Sequence, residues 1–187
     1  PDSVGLPDSL YKNDGQITKS EIRAITISKL EPLNSTVMWD IGGGSGSISI
    51  EWSNIANDAK IFTIEQNKKR IGYIRENIKK FGIKNITLLH ESAPDIFETL
   101  EKPNRIFIGG GLASDKGDEI INKSLDCLMQ TGIIVANGVT AETENLLIDM
   151  YKAFGGELSK YSVSNLKKIG KLHAWDQQMY VTQWKYK

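Results

Sequence analysis

An α/β fold around a largely parallel sheet is what this sequence predicts, on three observations. Short runs rich in β-branched residues alternate with amphipathic stretches, as strands do when crossover helices cover them. The first such run ends in Gly42-Gly43-Gly44-Ser45-Gly46, four glycines in five residues. The last part of the chain holds two extended runs with no helix between them, and such runs must pair as an antiparallel hairpin.

The strands read as Val37–Ile41, Lys60–Ile64, Ile86–His90, Arg105–Ile108 and Gly132–Asn137. Ahead of the first of them, Thr18-x-x-Glu21 has the form of a capping box that starts a helix. After the glycine loop, Ile48-Ser49-Ile50-Glu51 begins the next helix. Behind Asn67 as cap, Ile71, Ile74, Ile78 and Phe81 recur at three- and four-residue steps, and Gly82 ends the helix. Pro94 suits the first turn of a helix after the third strand. Ile121, Leu125 and Leu128 form an apolar stripe before the fifth strand, and Leu147, Met150 and Phe154 form one after it. The hairpin strands are Leu158–Asn165 and Ala174–Trp184, joined by the basic turn Leu166-Lys167-Lys168-Ile169-Gly170-Lys171. The 187 residues suit one domain, divided into an N-terminal segment with the first helix (1–35), a β/α core (36–155) and the hairpin (156–187).

Composition narrows the partners. Twenty-three Lys and Arg stand against 23 Asp and Glu, so no broad field draws the chain to nucleic acid or an anionic membrane. Any anion site must be local. With 40% hydrophobic residues, 17 Gly and 5 Pro, disorder, collagen and disulfide scaffolds are excluded. The lone Cys127 falls on a helix stripe, has no metal-binding spacing around it and points to a reducing compartment, the cytoplasm. No metal is expected. The first residues, Pro1-Asp2-Ser3-Val4-Gly5, have neither the pattern of a signal peptide nor an initiator Met, which suggests an excised piece of a longer chain. No run of about 18 apolar residues exists to span a bilayer.

The glycine loop is the sharpest functional signal. Open α/β sheets bind ligands at strand ends, and glycines let backbone turn tightly and approach a ligand closely. The plain alternative is a tight turn between strand and helix, for which four glycines are more than enough. A dinucleotide requires Gly-x-Gly-x-x-Gly, yet Ser47 stands where the third glycine belongs and Gly46 comes one residue early. The pattern Asp40-x-Gly42-x-Gly44-x-Gly46 instead resembles motif I of S-adenosylmethionine (SAM) dependent methyltransferases. That resemblance implies that Asp40 helps to hold the cofactor's amino-acid end, while Gly42, Gly43, Gly44, Ser45 and Gly46 lie along its methionine and ribose. Glu65 closes the second strand nineteen residues after Gly46, where a carboxylate accepts both ribose hydroxyls or, more plainly, faces solvent ahead of a helix. Ser92 and Ala93 follow the third strand, where the adenine lies in such enzymes. Many relatives carry an acidic residue where Ser92 stands, which makes the Ala93 backbone the better contact.

Over most of its length the chain resembles one family, the precorrin or cobalt-precorrin carbon-15 methyltransferases (decarboxylating). The resemblance is carried by Gly5-Leu6-Pro7-Asp8, Ile17-Thr18-Lys19-Ser20-Glu21-Ile22-Arg23-Ala24, the glycine loop and Ser92-Ala93-Pro94. It continues in Ile106-Phe107-Ile108-Gly109-Gly110-Gly111 and in Ile134-Val135-Ala136-Asn137-Gly138-Val139-Thr140-Ala141-Glu142. It implies the class I SAM-dependent methyltransferase fold, a mostly parallel Rossmann-like sheet with a C-terminal antiparallel hairpin. The implied reaction methylates carbon-15 of a tetrapyrrole, with loss of carbon dioxide from the carbon-12 acetate, and yields S-adenosylhomocysteine. Thr18 would reach the cofactor from an N-terminal segment that covers it. Gly110, Asn137, Thr140 and Arg23 would meet the substrate, with Lys167, Lys168 and Lys171 as further carboxylate partners or ordinary solvated charges. Lys68, Lys69 and Arg70 read as solvated. The family implies a homo-oligomer, up to a tetramer, and a carbon-5 methyltransferase partner or fused domain. Trp175 and Trp184 suit either sheet packing or a subunit contact. No catalytic base is assigned, and His90 and His173 read as structural. An RNA methyltransferase would need a basic face and a stacking aromatic at the fourth strand end, where Gly109-Gly110-Gly111 stands. A SAM-binding module without turnover is the remaining alternative.

Overall fold

The computed structural model describes residues 3–187. Pro1 and Asp2, the first two residues of the signal-peptide reading, lie outside the described residues. A seven-stranded sheet in the order β3-β2-β1-β4-β5-β9-β6 forms the centre. Its parallel part comprises β1 (Val37–Ile41), β2 (Lys60–Ile64), β3 (Ile86–Leu89), β4 (Arg105–Ile108) and β5 (Ile133–Gly138). These bounds fall within a residue of the expected ones. Such strands are buried on both faces and read as near-continuous apolar runs, and all five residues of β1 are buried.

Alternation along the strands assigns each residue to a layer. Trp39, Ile41, Ile106, Ile108, Ile134 and Ala136 face α4 (Gly117–Cys127) and α5 (Ala141–Phe154). Met38, Phe107, Ile133 and Val135 face α1 (Ser20–Leu30) and α2 (Ser47–Ile55). Asp40 and Asn137 share the parity of this second set. The remaining helix, α3 (Lys68–Phe81), starts at Asn67, whose side chain accepts from the Lys69 and Arg70 N–H groups, and ends at left-handed Gly82. Among the described residues no helix is long and apolar enough to cross a membrane.

Several local readings are corrected. The Thr18–Glu21 capping box does not form: α1 begins one residue later, Lys19 is its N-cap, and no side chain caps it. The Thr18 carbonyl is instead taken by the Arg23 guanidinium. Arg23 is fully buried and is no substrate contact, because its fork is spent inside the protein. It bonds Glu51 at 2.6 Å, Asp8 at 3.2 Å, and the Thr18 and Leu6 carbonyls. Glu51 also accepts from the Gly5 and Leu6 N–H groups and the Tyr11 hydroxyl. This network fastens residues 5–11 to α1 and α2, and burial beside Glu51 pushes the Tyr11 phenol well up. Thr140 is a helix cap: its hydroxyl and that of Thr143 close a reciprocal capping box at the start of α5. After β3 the chain turns through Pro94 into a 3-10 turn at Phe97–Thr99, with no α-helix there.

The C-terminal part is also richer than one hairpin. β6 (Glu157–Tyr161) and β9 (Val181–Tyr186) pair antiparallel in the main sheet, with β9 between β5 and β6. Between them β7 (Ser164–Ile169) and β8 (Leu172–Gln177) form a separate ribbon joined at Gly170-Lys171. Most of the expected basic turn is therefore strand β7. The two tryptophans separate: Trp184 is fully buried and donates to the Gly155 carbonyl, whereas Trp175 on β8 is 71% exposed.

Candidate functional site

The sheet order reverses between β1 and β4, and the crevice at such a reversal is where open α/β sheets take ligands. A cavity of about 670 Å³ opens there, over the carboxyl ends of β1, β2, β4 and β5, within the range of small-molecule sites.

Its floor is the glycine loop. Gly42, Gly44 and Gly46 hold φ of 74°, 59° and 75°, the left-handed region that favours glycine. A Cβ on Gly42 would stand 2.6 Å from the Gly110 Cα, so the two strand-end loops meet main chain to main chain. Gly42, Gly43, Gly44 and Ser45 line the cavity. Gly46 does not; it is the N-cap of α2, wedged against Ile74.

Asp40 does not line the cavity either. It is 1% exposed and points to the α2 layer, where Ser49 donates to it through its hydroxyl (2.5 Å) and its backbone N–H. Asp40 thus caps α2 from the neighbouring strand, satisfying one of the orphan donors of the first turn. Burial pushes its carboxyl up to about 6, helped by nearby Glu65 and offset in part by Ser49, and its Oδ1 has no partner.

Glu65 lines the cavity and is 5% exposed. Its Oε2 accepts from the Gly44 N–H at 2.9 Å and its Oε1 from the Asn67 N–H at 2.8 Å. Each oxygen keeps a lone pair, and the carboxylate fixes the height of the loop. Ser92 and Ala93 form the wall beyond β3. Thr18 also lines the cavity, with Gly15, Gln16, Ile17 and Lys19 around it. The opposite end contains Gly110 and Asn137. Asn137 donates to the Thr26 hydroxyl at 3.0 Å and accepts from Gln183 at 2.8 Å, which orients its amide.

Other lining residues gave no sequence signal. Arg70, expected to be solvated, lines the cavity and bonds Asp14 at 3.1 Å. Lys116 lines it from the N-cap of α4, beside Ser114 and Asp115, and bonds Asp95 at 3.1 Å. Met179, just before β9, is 70% exposed at the cavity's edge. Lys167, Lys168 and Lys171 do not line it; they lie on the β7–β8 ribbon, with Lys167 paired to Asp176. His90 bonds the Gln66 carbonyl and His173 is exposed on β8. Cys127 is half-buried against the α4–α5 layer. Among the described residues, no group of three or more His, Cys, Asp or Glu is arranged to hold a metal.

A family profile described as a precorrin methyltransferase domain matches residues 9–187. The chain belongs to that family. It is 38% identical over 186 residues to a Sinorhizobium protein named precorrin-6Y C(5,15)-methyltransferase [decarboxylating], covering 100% of this chain and 44% of that one. The chain thus spans less than half the length of this and other curated relatives. A Saccharolobus solfataricus relative, named probable cobalt-precorrin-6B C(15)-methyltransferase (decarboxylating), is 40% identical over 156 residues, covering 81% of this chain and 77% of that one. The crystal structure of the C-terminal domain of precorrin-6Y C5,15-methyltransferase from Rhodobacter capsulatus superposes with a TM-score of 0.91 at 34% identity, covering 99% and 98% of the two chains. An Aquifex aeolicus tRNA (m1A58) methyltransferase shares the fold at a TM-score of 0.69 and 18% identity. This precorrin methyltransferase domain has the class I SAM-dependent methyltransferase fold.

Proposed function

We propose that this domain transfers a methyl group from SAM to carbon-15 of a precorrin or cobalt-precorrin and promotes loss of carbon dioxide from the carbon-12 acetate, a step in cobalamin biosynthesis. The observation that carries this reading is the 40% identity to the Saccharolobus protein, most of whose length the chain covers. The cavity supports SAM as cofactor. Glu65 retains lone pairs for a diol, the loop offers main chain without Cβ atoms, and the Ser45 hydroxyl is buried without a partner. Thr18, Ser92 and Ala93 supply the remaining cofactor walls, and Gly110 and Asn137 the substrate side.

SAM supplies an already activated methyl sulfonium. What remains for the protein is to hold donor and acceptor in line in a site sheltered from water, which contributes roughly 7–11 kcal/mol. No strong base is required, and the macrocycle serves as electron sink for decarboxylation. A polycarboxylate substrate needs cations at the rim. Lys19 and Lys116 meet this need, each lining the cavity from the N-cap of a helix, where a cation opposes the helix dipole.

Replacing Lys116 with methionine is expected to raise the tetrapyrrole KM roughly two- to fivefold, the range of a partly exposed ion pair, with cofactor affinity unchanged. Asp95→Asn, which frees Lys116, is expected to lower that KM. Parallel loss in both variants would leave Lys116 as a structural ion pair only.

The longer relatives named C(5,15)-methyltransferase support a carbon-5 methylating domain as partner, in the same chain or apart. Leu166, Ile169, Leu172 and Trp175 on the ribbon, each more than half exposed, support a homo-oligomer. The deciding experiment incubates the domain with labelled SAM and the corrin intermediate lacking the carbon-15 methyl group, following mass and released carbon dioxide together. Uptake of one methyl group with one carbon dioxide is expected. Methylation without release would withdraw the decarboxylating assignment, and no methylation would withdraw the function.

A further inference from the structure

The buried face of α3 reads Ile71, Ile74, Asn77. A polar residue in an apolar stripe is unfavourable unless its hydrogen bonds are met, and Asn77, 1% exposed, meets them in an unusual way. Its Oδ1 accepts from the Lys12 backbone N–H at 2.8 Å, and its Nδ2 donates to the Lys12 carbonyl at 2.9 Å, as a neighbouring strand would. The same Nδ2 donates to the Ser45 carbonyl at 2.8 Å. One amide therefore ties two otherwise separate segments, the glycine loop and the N-terminal strap, to one point on α3. A turn earlier, Ile74 packs under Gly43 and Gly46.

The strap is a bridge with two fixed ends. At one end Asn77 holds Lys12; at the other the Arg23 guanidinium holds the Thr18 carbonyl. Between them Gly15, Gln16, Ile17 and Thr18 line the cavity, and the Gln16 carbonyl lies over Gly44, 3.4 Å from where its Cβ would stand. Among the described residues, the other side-chain ties between this span and α3 are exposed or partly exposed contacts, Lys12 with Glu76 and with the Tyr73 ring, and Arg70 with Asp14, of a kind that contributes little.

We propose that Asn77 is a positioning residue for the cofactor: by pinning Lys12 to the Ser45 carbonyl it fixes the gap between strap and glycine loop in which the cofactor is held. The proposal rests on the cofactor reading of the cavity. Asn77 itself does not line the cavity; it acts through the two backbones it joins. Removing it leaves the loop's own bonds to Ile64 and Glu65 in place but lets the strap lift, so the bound cofactor leaves faster.

The test compares Asn77→Asp, Asn77→Leu and Glu76→Gln, with SAM and S-adenosylhomocysteine as probes. Calorimetry gives affinity, stopped-flow displacement gives the dissociation rate, and ligand-free Tm reports the fold. Asn77→Asp keeps the acceptor for the Lys12 N–H but loses both donated bonds, and is expected to dissociate the cofactor at least about tenfold faster, as the loss of one or two net hydrogen bonds implies. Asn77→Leu is expected to do the same, and Glu76→Gln to stay within about twofold of the parent because it alters only a surface pair. If Asn77 were only structural, Tm would fall while the cofactor's dissociation rate held, and that result overturns the proposal. If neither Asn77 variant folds, hydrogen exchange of the parent decides. Slowed exchange of the Lys12–Thr18 amides under saturating S-adenosylhomocysteine supports the clamp, and unchanged exchange overturns it. Absence of binding by the parent itself would instead remove the cofactor reading, and the clamp with it.

Discussion

Substituting Gly42 with alanine is expected to destabilise the domain by about 2–5 kcal/mol and to abolish cofactor binding, because two separate penalties fall on one methyl group. The first is conformational: Gly42 has φ of 74°, where a Cβ crowds its own backbone at a cost of about 1–2 kcal/mol. The second is steric, since the new Cβ would stand 2.6 Å from the Cα and 2.7 Å from the N of Gly110. Backbone cannot rotate aside as a flexible side chain does. Either β1 or the β4 loop must move, and both form the cavity wall. Gly82→Ala separates the two penalties. Gly82 also has positive φ, at 69°, but nothing lies within 4 Å of its Cβ position. Its alanine variant is expected to lose only the conformational part, about 1–2 kcal/mol, and to bind cofactor normally. Denaturant melts and calorimetry on both variants check this, and a Gly42→Ala loss no larger than that of Gly82→Ala would show that the two loops do not press on each other.

This contrast also shows what the sequence could and could not tell. The glycine loop was legible because backbone that must take positive φ next to other backbone leaves few choices of residue, and the choice is written locally. Strands β1, β4 and β5 were legible for a similar reason: burial on both faces demands apolar runs. Arg23 was misread because its surroundings come from elsewhere in the chain. Whether an arginine meets a substrate or Glu51 is decided by the packing of α1 on α2, which spacing within α1 does not encode. The β7–β8 ribbon was missed because it packs on neither layer of the core. With all of its strand residues exposed, no burial alternation marks β7, and Leu166-Lys167-Lys168-Ile169 reads as a basic turn. Asn77 was hidden by its polarity, since an apolar-stripe reading passes from Ile74 to Ile78 and steps over it. Lys116 and Arg70 were hidden because long cationic side chains at helix starts are ordinary on surfaces, and only the cavity distinguishes these two.

Glu65→Gln is the second large effect, with cofactor affinity expected to fall roughly a hundredfold or more, equivalent to losing about two hydrogen bonds to a charged group. In the parent the carboxylate is acceptor on both oxygens, towards Gly44 at 2.9 Å and Asn67 at 2.8 Å. Glutamine has one acceptor oxygen and one donor NH₂. Whichever way it turns, a backbone N–H of Gly44 or Asn67 faces another donor, so the loop loses a tether before any ligand arrives. The ligand then loses a charge-assisted acceptor pair for its diol. A weakened loop alone would lower affinity for all nucleoside ligands alike, and a comparison of sugars distinguishes the two contributions. The parent is expected to prefer S-adenosylhomocysteine over its 2′-deoxy analogue by about tenfold or more, one hydrogen bond to a charged group, and Glu65→Gln is expected to reduce this preference to near unity. Should the variant discriminate between the two sugars as well as the parent does, Glu65 would hold the glycine loop and nothing more, and the ribose would have to be recognised elsewhere in the cavity.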